Sequence, residues 1–208
     1  MKIAIVDSGV HAAHPHVGGI AGGVSIAGGD VVDRLGHGTA VAGAIREKAP
    51  DAGLYAVKIF DRRLSADADT IIRALEWCVE QKMDIVNLSL GTANPDHRAR
   101  FEQVLTGGPV VVSVAGVIPS MIAVAADKEC PRNAFRYRDG VFYASPYPRP
   151  IPGVPPESNL HGDSFAVANM TGFVAQAFGL LCPVSSGHLL AALVDWADMQ
   201  RMLRRIGP

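Results

Sequence analysis

The chain has few cysteines, no dominant charge and no long apolar run, and each shortage removes a class of protein. Cys78, Cys130 and Cys182 are widely spaced. Such spacing builds neither a disulfide framework nor a zinc site. Cys78 falls inside a helical pattern and reads as a small core residue. Basic and acidic residues number 19 and 20. That balance offers no electrostatic footprint for nucleic acid or an anionic membrane surface. Arg201, Arg204 and Arg205 read as cations that offset a helix dipole. No stretch approaches the roughly 20 consecutive apolar residues needed to cross a bilayer, so no membrane partner is expected. Asp30, Asp33, Asp61, Asp67 and Asp69 lack the spacing of a calcium loop. They are expected to be solvated or capping residues, with no metal and no cofactor. Met1-Lys2 enters a strand-like run at once, leaving no room for a secretory signal. The expectation is a cytoplasmic protein without a pro-segment.

What is present points to one compact α/β domain over residues 1–208. Nearly half of the chain is apolar (49%), and no Gly/Ser-rich linker or internal repeat divides it. Lys2–Val6, Leu54–Ile59, Asp84–Leu88, Val110–Val114 and Met121–Ala125 are short, rich in Val and Ile, and apolar nearly throughout. That is the pattern of strands buried on both faces. Between them lie helical patterns. Asp67–Gln81 carries a stripe of Ile71, Ile72, Leu75 and Val79. Asn94-Pro95 reads as the cap and first residue of Pro95–Leu105. Gly38–Glu47 forms a further helix directly after His37. The sum is a parallel sheet with helices on both faces.

The later chain differs. Tyr and Phe suggest short strands near Ala134–Tyr137 and Val141–Ala144. Six prolines between Pro146 and Pro156 then exclude helix and central strand, leaving an extended surface loop. Ser164–Leu181 is one apolar helix, and Ser186–Arg205 another.

Three short motifs carry chemistry. Asp7 ends an apolar run in Ile5-Val6-Asp7-Ser8-Gly9. His37 lies in Gly36-His37-Gly38-Thr39-Ala40-Val41-Ala42-Gly43. Ser164 lies in Gly162-Asp163-Ser164-Phe165-Ala166. Each alone is ordinary: Asp-Ser-Gly is a common turn, and a serine before a helix is a common cap. Together, an acid, a base and a hydroxyl at element ends can activate an alcohol for acyl transfer. Asp7 would sit at the carboxyl edge of the sheet, where open α/β folds carry ligands. The start of the Ser164 helix would offer backbone N–H groups to a developing oxyanion.

On these motifs the chain resembles the subtilisin-like serine proteases, the subtilases. Leu54-Tyr55-Ala56-Val57-Lys58 and Asn87-Leu88-Ser89-Leu90-Gly91 look like that family's central strands. The resemblance implies a three-layer fold with a mostly parallel central sheet. It also implies a serine endopeptidase with Asp7, His37 and Ser164 as its triad, acting on a peptide or protein substrate. Ser89, Leu90 and Gly91 would pair with extended substrate, opposite the edge Leu64-Ser65-Ala66. Oligomeric state is left open.

The chain departs from the family where the oxyanion is held. The family carries an Asn whose amide supplements the backbone N–H of the serine, here Ser164. The sequence reads Val114-Ala115-Gly116-Val117, so Val117 occupies that position without a donor. Loss of one such donor costs on the order of 10²–10³ in kcat, a magnitude measured in a subtilisin. Asn133 and Asn159 are conceivable substitutes. Asp163 stands where the family has Thr, and a carboxylate there opposes an oxyanion unless it points away or pairs, for instance with His161. Ala168 replaces a Pro; Ala40 and Asn169 replace His. These departures motivate an alternative reading: a weakly active or inactive subtilase-like domain that binds peptides or a protein.

Overall fold

The computed structural model describes residues 1–90, 97–115, 120–181 and 185–206. Eight strands form one sheet: β1 Lys2–Asp7, β2 Gly22–Ser25, β3 Gly53–Lys58, β4 Ile85–Leu88, β5 Val110–Val114, β6 Ile122–Ala126, β7 Phe135–Arg138 and β8 Val141–Ala144. Their order is β2-β3-β1-β4-β5-β6-β8-β7. All neighbours are parallel except β7 and β8, which pair antiparallel with Phe135 opposite Ala144. Among the described residues five α-helices accompany them: α1 His37–Lys48, α2 Ala68–Glu80, α3 Arg98–Leu105, α4 Asp163–Leu181 and α5 Ser186–Ile206. The expected α/β class is thus the observed one.

The period-two geometry of a strand explains the three layers. Ile3 and Ile5 of β1 face one way, into a core shared with α1, α4 and α5. Ala4 and Val6 face the other way, into a core shared with α2 and α3. Leu54 and Val57 divide between the two cores in the same manner along β3. A strand covered on both sides has no polar face, which is why these runs are apolar throughout.

The helices follow their local chemistry. Asp67 caps α2, its carboxylate accepting from the Thr70 N–H at 2.7 Å. Ile71, Ile72, Leu75 and Cys78 turn inward, and Val79 is half-buried at the rim. Burial pushes the Cys78 thiol up to about 12, as befits an inert core residue. The Asn94-Pro95 cap expected for α3 lies outside the described residues, as does Cys182. α4 is long and apolar enough to span a membrane by composition, which the reading of apolar runs did not anticipate. Here it is a core helix, and its Asn169 and Thr171 are fully buried and hydrogen-bonded.

One strand was not among those expected from the sequence. Gly22-Gly23-Val24-Ser25 pairs with β3 from Tyr55 to Lys58. A side chain at Gly23 would run into the Ala56 carbonyl, so the glycine permits the close approach that makes this edge.

Candidate active site

Three strand ends meet at the carboxyl edge of the sheet. Asp7 is the last residue of β1, Ser89 follows the end of β4, and Ala126 ends β6. α4 begins over the last two. The Ala126 N–H donates to Asp163 Oδ1 at 2.8 Å, and the Ser164 hydroxyl donates to the Ser89 carbonyl at 3.2 Å. Asp163 is therefore tied to the sheet by a backbone amide and not by His161. His161 instead lies 3.2 Å from the Asn159 carbonyl through Nδ1.

Asp7 is fully buried. Its carboxylate accepts from the Ser8 N–H at 2.7 Å and lies 2.8 and 3.0 Å from His37 Nδ1. A hydrogen bond at Nδ1 directs the imidazole's other nitrogen, Nε2, away from the acid. The His37 ring packs against Phe165, centroids 5.3 Å apart, which brings the base beside the first turn of α4. Burial works against a charged His37, but the hydrogen bond and charge of Asp7, with the charge of Asp33, outweigh it. The pKa lies above the ordinary imidazole value of 6.5. Among the described residues no hydrogen bond joins His37 to Ser164.

Asp33 is the residue the sequence most undervalued. Read as solvated or capping, it is 8% exposed. Oδ1 accepts from the Ser8 hydroxyl and the Leu35 and Gly36 N–H groups, each at 2.9 Å. Oδ2 accepts from the Thr39 N–H at 2.8 Å and the Thr39 hydroxyl at 2.6 Å. Burial raises its pKa, but the Thr39 bonds, the Leu35 amide and the Ser8 hydroxyl together bring it below the ordinary 3.8. The Ser8 hydroxyl in turn accepts from the Gly38 N–H at 3.0 Å. Asp33 is thus a capping acid, as one branch of the expectation had it, but one walled into the start of α1. A side chain at Gly38 would strike the Gly9 carbonyl and press on Asp7. The Gly36-His37-Gly38-Thr39 pattern lets α1 begin against the end of β1. The other acids lie at the surface: Asp30 pairs with Arg34, Asp61 with Lys58 and Asp69 with Arg100.

A neutral relay holds the Ser89 side. Asn87 Nδ2 donates to the Ser89 hydroxyl at 2.6 Å, and the Thr171 hydroxyl donates to Asn87 Oδ1 at 2.9 Å. Strand β4 and helix α4 are bridged inside the core. Ser89 is buried and Leu90 half-buried, while Ser65 stands exposed in the loop before α2. Gly91 and Val117 lie outside the described residues. Asn133 sits in the Pro131–Ala134 turn before β7, and Asn159 Nδ2 is spent on the Arg149 carbonyl at 3.4 Å. Ala168 is fully buried in α4. Asn169 donates to the Ser145 and Tyr147 carbonyls at 2.9 and 3.0 Å and accepts from Lys48 Nζ at 2.7 Å, pinning the proline-rich loop. Burial draws the Lys48 ammonium down to about 8.

The architecture has solved counterparts. Sphericase superposes with a TM-score of 0.72 at 22% identity, over 93% of this chain and 82% of its own. That likeness establishes the shared fold. Subtilisin E of Bacillus subtilis (strain 168) is 30% identical over 200 residues, 82% of this chain and 51% of the relative. The Bacillus pumilus subtilisin is 30% identical over 82% of this chain and 71% of its own length. The chain thus spans about half of the first relative. A model of the subtilase family (Peptidase_S8) matches residues 1–126. The chain belongs to the subtilase family of serine proteases.

Proposed function

We propose that the chain is a serine endopeptidase in which Ser164 is the nucleophile, His37 the general base and Asp7 the group that orients and charges the base. The observation that carries this reading is the buried Asp7 carboxylate bonded to His37 Nδ1, with the His37 ring against the residue that follows Ser164. The Ser164 proton passes to His37 Nε2 as Oγ bonds to the scissile carbonyl carbon. The oxyanion that forms faces the Ser164 N–H at the start of α4. Collapse expels the amine, which takes the proton from His37, and water then hydrolyses the acyl-enzyme through the same base. Substrate lies extended against Ser89–Gly91, its backbone pairing with the segment that continues past the end of β4, with Ser65 opposite.

A fluorophosphonate probe tests the reading. The parent protein is labelled and the Ser164→Ala variant is not. Labelling rises with pH through an inflection above 6.5, because only neutral His37 accepts a proton and its pKa is raised. Equal labelling of both proteins, or none between about pH 6 and 9, overturns it.

One observation favours the alternative, a subtilase-like domain that binds peptide with little turnover. The Ser164 hydroxyl donates to the Ser89 carbonyl, and Val117 offers no donor. Under this reading peptide binding survives Ser164→Ala and the parent shows no turnover. An acyl-enzyme detected by mass spectrometry excludes it. Catalytic hydrogen bonds often form only once substrate is bound, so the endopeptidase reading stands first.

A further inference from the structure

A cleft of about 490 Å³, largely apolar in its lining, opens beside the candidate site, and the chemistry above does not use it. Its walls come from the loop after β1, the start of α1 and the proline-rich loop. Gly36 and Thr39, which border it, bracket His37. Asn159 and Leu160, also in its wall, precede Ser164 by a few residues. Four residues of extended chain reach at most about 14 Å, so the cleft lies within a short peptide's length of the nucleophile. None of Ser89, Leu90 or Ser65 lines it. The cleft is thus open to the leaving half of a substrate whose acyl half pairs with Ser89.

Among the described residues Arg149 is the one arginine in the cleft, and three imidazoles join it there. His11, His14, His16 and Arg149 line it, with Ile151 and Leu160 as exposed apolar rim. Arg34, Arg100, Arg132, Arg136 and Arg201 each have a carboxylate partner. Arg149 is half-buried and, like Arg46, Arg73 and Arg138, has no carboxylate partner among the described residues; its guanidinium reaches the His16 carbonyl, at 3.3 Å. A guanidinium carries five donors in a planar fork suited to a carboxylate. The His16 N–H donates to His14 Nδ1 at 3.2 Å, so neutral His14 holds its proton on Nε2. The His14 and His16 rings stand edge to face, 5.1 Å apart. Asp33 borders the cleft too, but both its oxygens are taken by Ser8, Leu35, Gly36 and Thr39. Burial first, then Arg149 and His14, and more weakly Arg132, hold the His16 pKa down against the pull of Glu47. A bound anion would relieve that crowding. Among the described residues no set of acids, cysteines or imidazoles converges as metal ligands.

The geometry points to a subsite for a carboxylate on the leaving-group side of the substrate, gripped by Arg149 and the His14–His16 pair. The inference rests on the endopeptidase reading and adds to it a preference for an acidic leaving segment. The carboxylate comes from a Glu or Asp side chain or from the end of the leaving chain.

Capture of the acyl-enzyme by added amines separates these. An ester substrate acylates Ser164, and short peptide amides carrying Glu, Gln or Lys at the second or third position compete with water. Glu peptides are captured about tenfold more efficiently than Gln or Lys peptides, the size of a charge-assisted contact. Arg149→Gln brings the ratio to within about twofold, and His16→Gln reduces it in part. The ratio is read within one preparation, so misfolded molecules do not enter it. A Gln peptide with a free terminal carboxylate, if it gains what Glu otherwise gains, assigns the carboxylate to the chain end and keeps the subsite. A ratio near one in the parent with no gain from a free terminal carboxylate either, or a gain unchanged by Arg149→Gln, overturns the subsite. If no acyl-enzyme forms, the endopeptidase reading fails instead. The cleft is then tested by calorimetry of the same Glu and Gln peptides on Ser164→Ala protein, where equal affinities overturn it.

Discussion

Helices α1 and α4 both begin at the carboxyl edge of the sheet, one with His37 as its first residue and the other with Ser164 as its second. Their first turns are held by different chemistry. The start of α1 closes around an ionised, buried acid, with Asp33 accepting from Ser8, Leu35, Gly36 and Thr39. The start of α4 is held through exposed Asp163 and neutral hydroxyls and amides: Ser164 to Ser89, Ser89 to Asn87, Asn87 to Thr171. The contrast suits the proposed roles. A base that must accept charge is set among fixed charges, which stabilise its protonated form. The hydroxyl that must give up a proton is itself bonded to a neutral carbonyl, and the nearby Asp163 carboxylate is turned to the Ala126 amide.

The largest effect expected from breaking this contrast is at Asp33. Asp33→Ala leaves several buried donors without an acceptor and should cost roughly 3 kcal/mol in urea unfolding. The parent should resist acid to the ordinary carboxylate range. Its folded pKa lies below 3.8, so the stabilisation is complete above that value and is lost as pH falls through the lowered one. Asp33→Asn should weaken this acid dependence and move the His37 inflection down toward 6.5, by removing a charge that favours the imidazolium. An unchanged labelling profile would mean that Asp33 only builds the turn.

Next comes the neutral side. Asn87→Ala removes one bond from each of the Ser89 and Thr171 hydroxyls, leaving them the Ser164 and Val167 carbonyls, and should cost about 1–2 kcal/mol by chemical denaturation. It should slow probe labelling of Ser164 without moving the pH inflection. A shifted inflection would show that the two helix starts are electrically coupled. The smallest effect belongs to Asp163→Ala. Asp163 is exposed and in the first turn of α4, so its loss should cost about 1 kcal/mol. Because its carboxylate points to Ala126, labelling should fall only modestly. A marked gain in labelling would mean that the Asp163 charge opposes the oxyanion after all.

Much of this arrangement was legible in the sequence, for reasons particular residues make plain. Buried parallel strands must be apolar on both faces, so β1, β3, β4, β5 and β6 announce themselves. Asp67 with Thr70 three residues on signals the start of α2. The motifs around Asp7, His37 and Ser164 need small neighbours, since Gly38 must pass the Gly9 carbonyl, and those neighbours survive as pattern. β2 was hidden because its strand character comes from β3, not from Gly22-Gly23. Asp33 was hidden because an acid's environment depends on where the following turn carries it. The one local hint was its position, ahead of Gly36-His37-Gly38 and with Thr39 within reach. The Arg149 cleft was invisible for a stronger reason: it joins two loops far apart in the chain, each unremarkable alone.

The strand order carries a consequence for how the molecule comes into being. β1 lies between β3 and β4, so the first strand of the chain becomes the middle of the sheet and waits for later segments to enclose it. Such non-local pairing is slow to form. Asp7 and His37 can meet once β1 and α1 are in place, but Ser164 arrives only with α4, which packs across α1, β4, β5, β6 and β8. A partly folded chain with α4 undocked therefore holds the proposed base without the proposed nucleophile. Under that proposal the topology itself delays chemistry until the fold is nearly complete, a temporal safeguard written into the order of the strands.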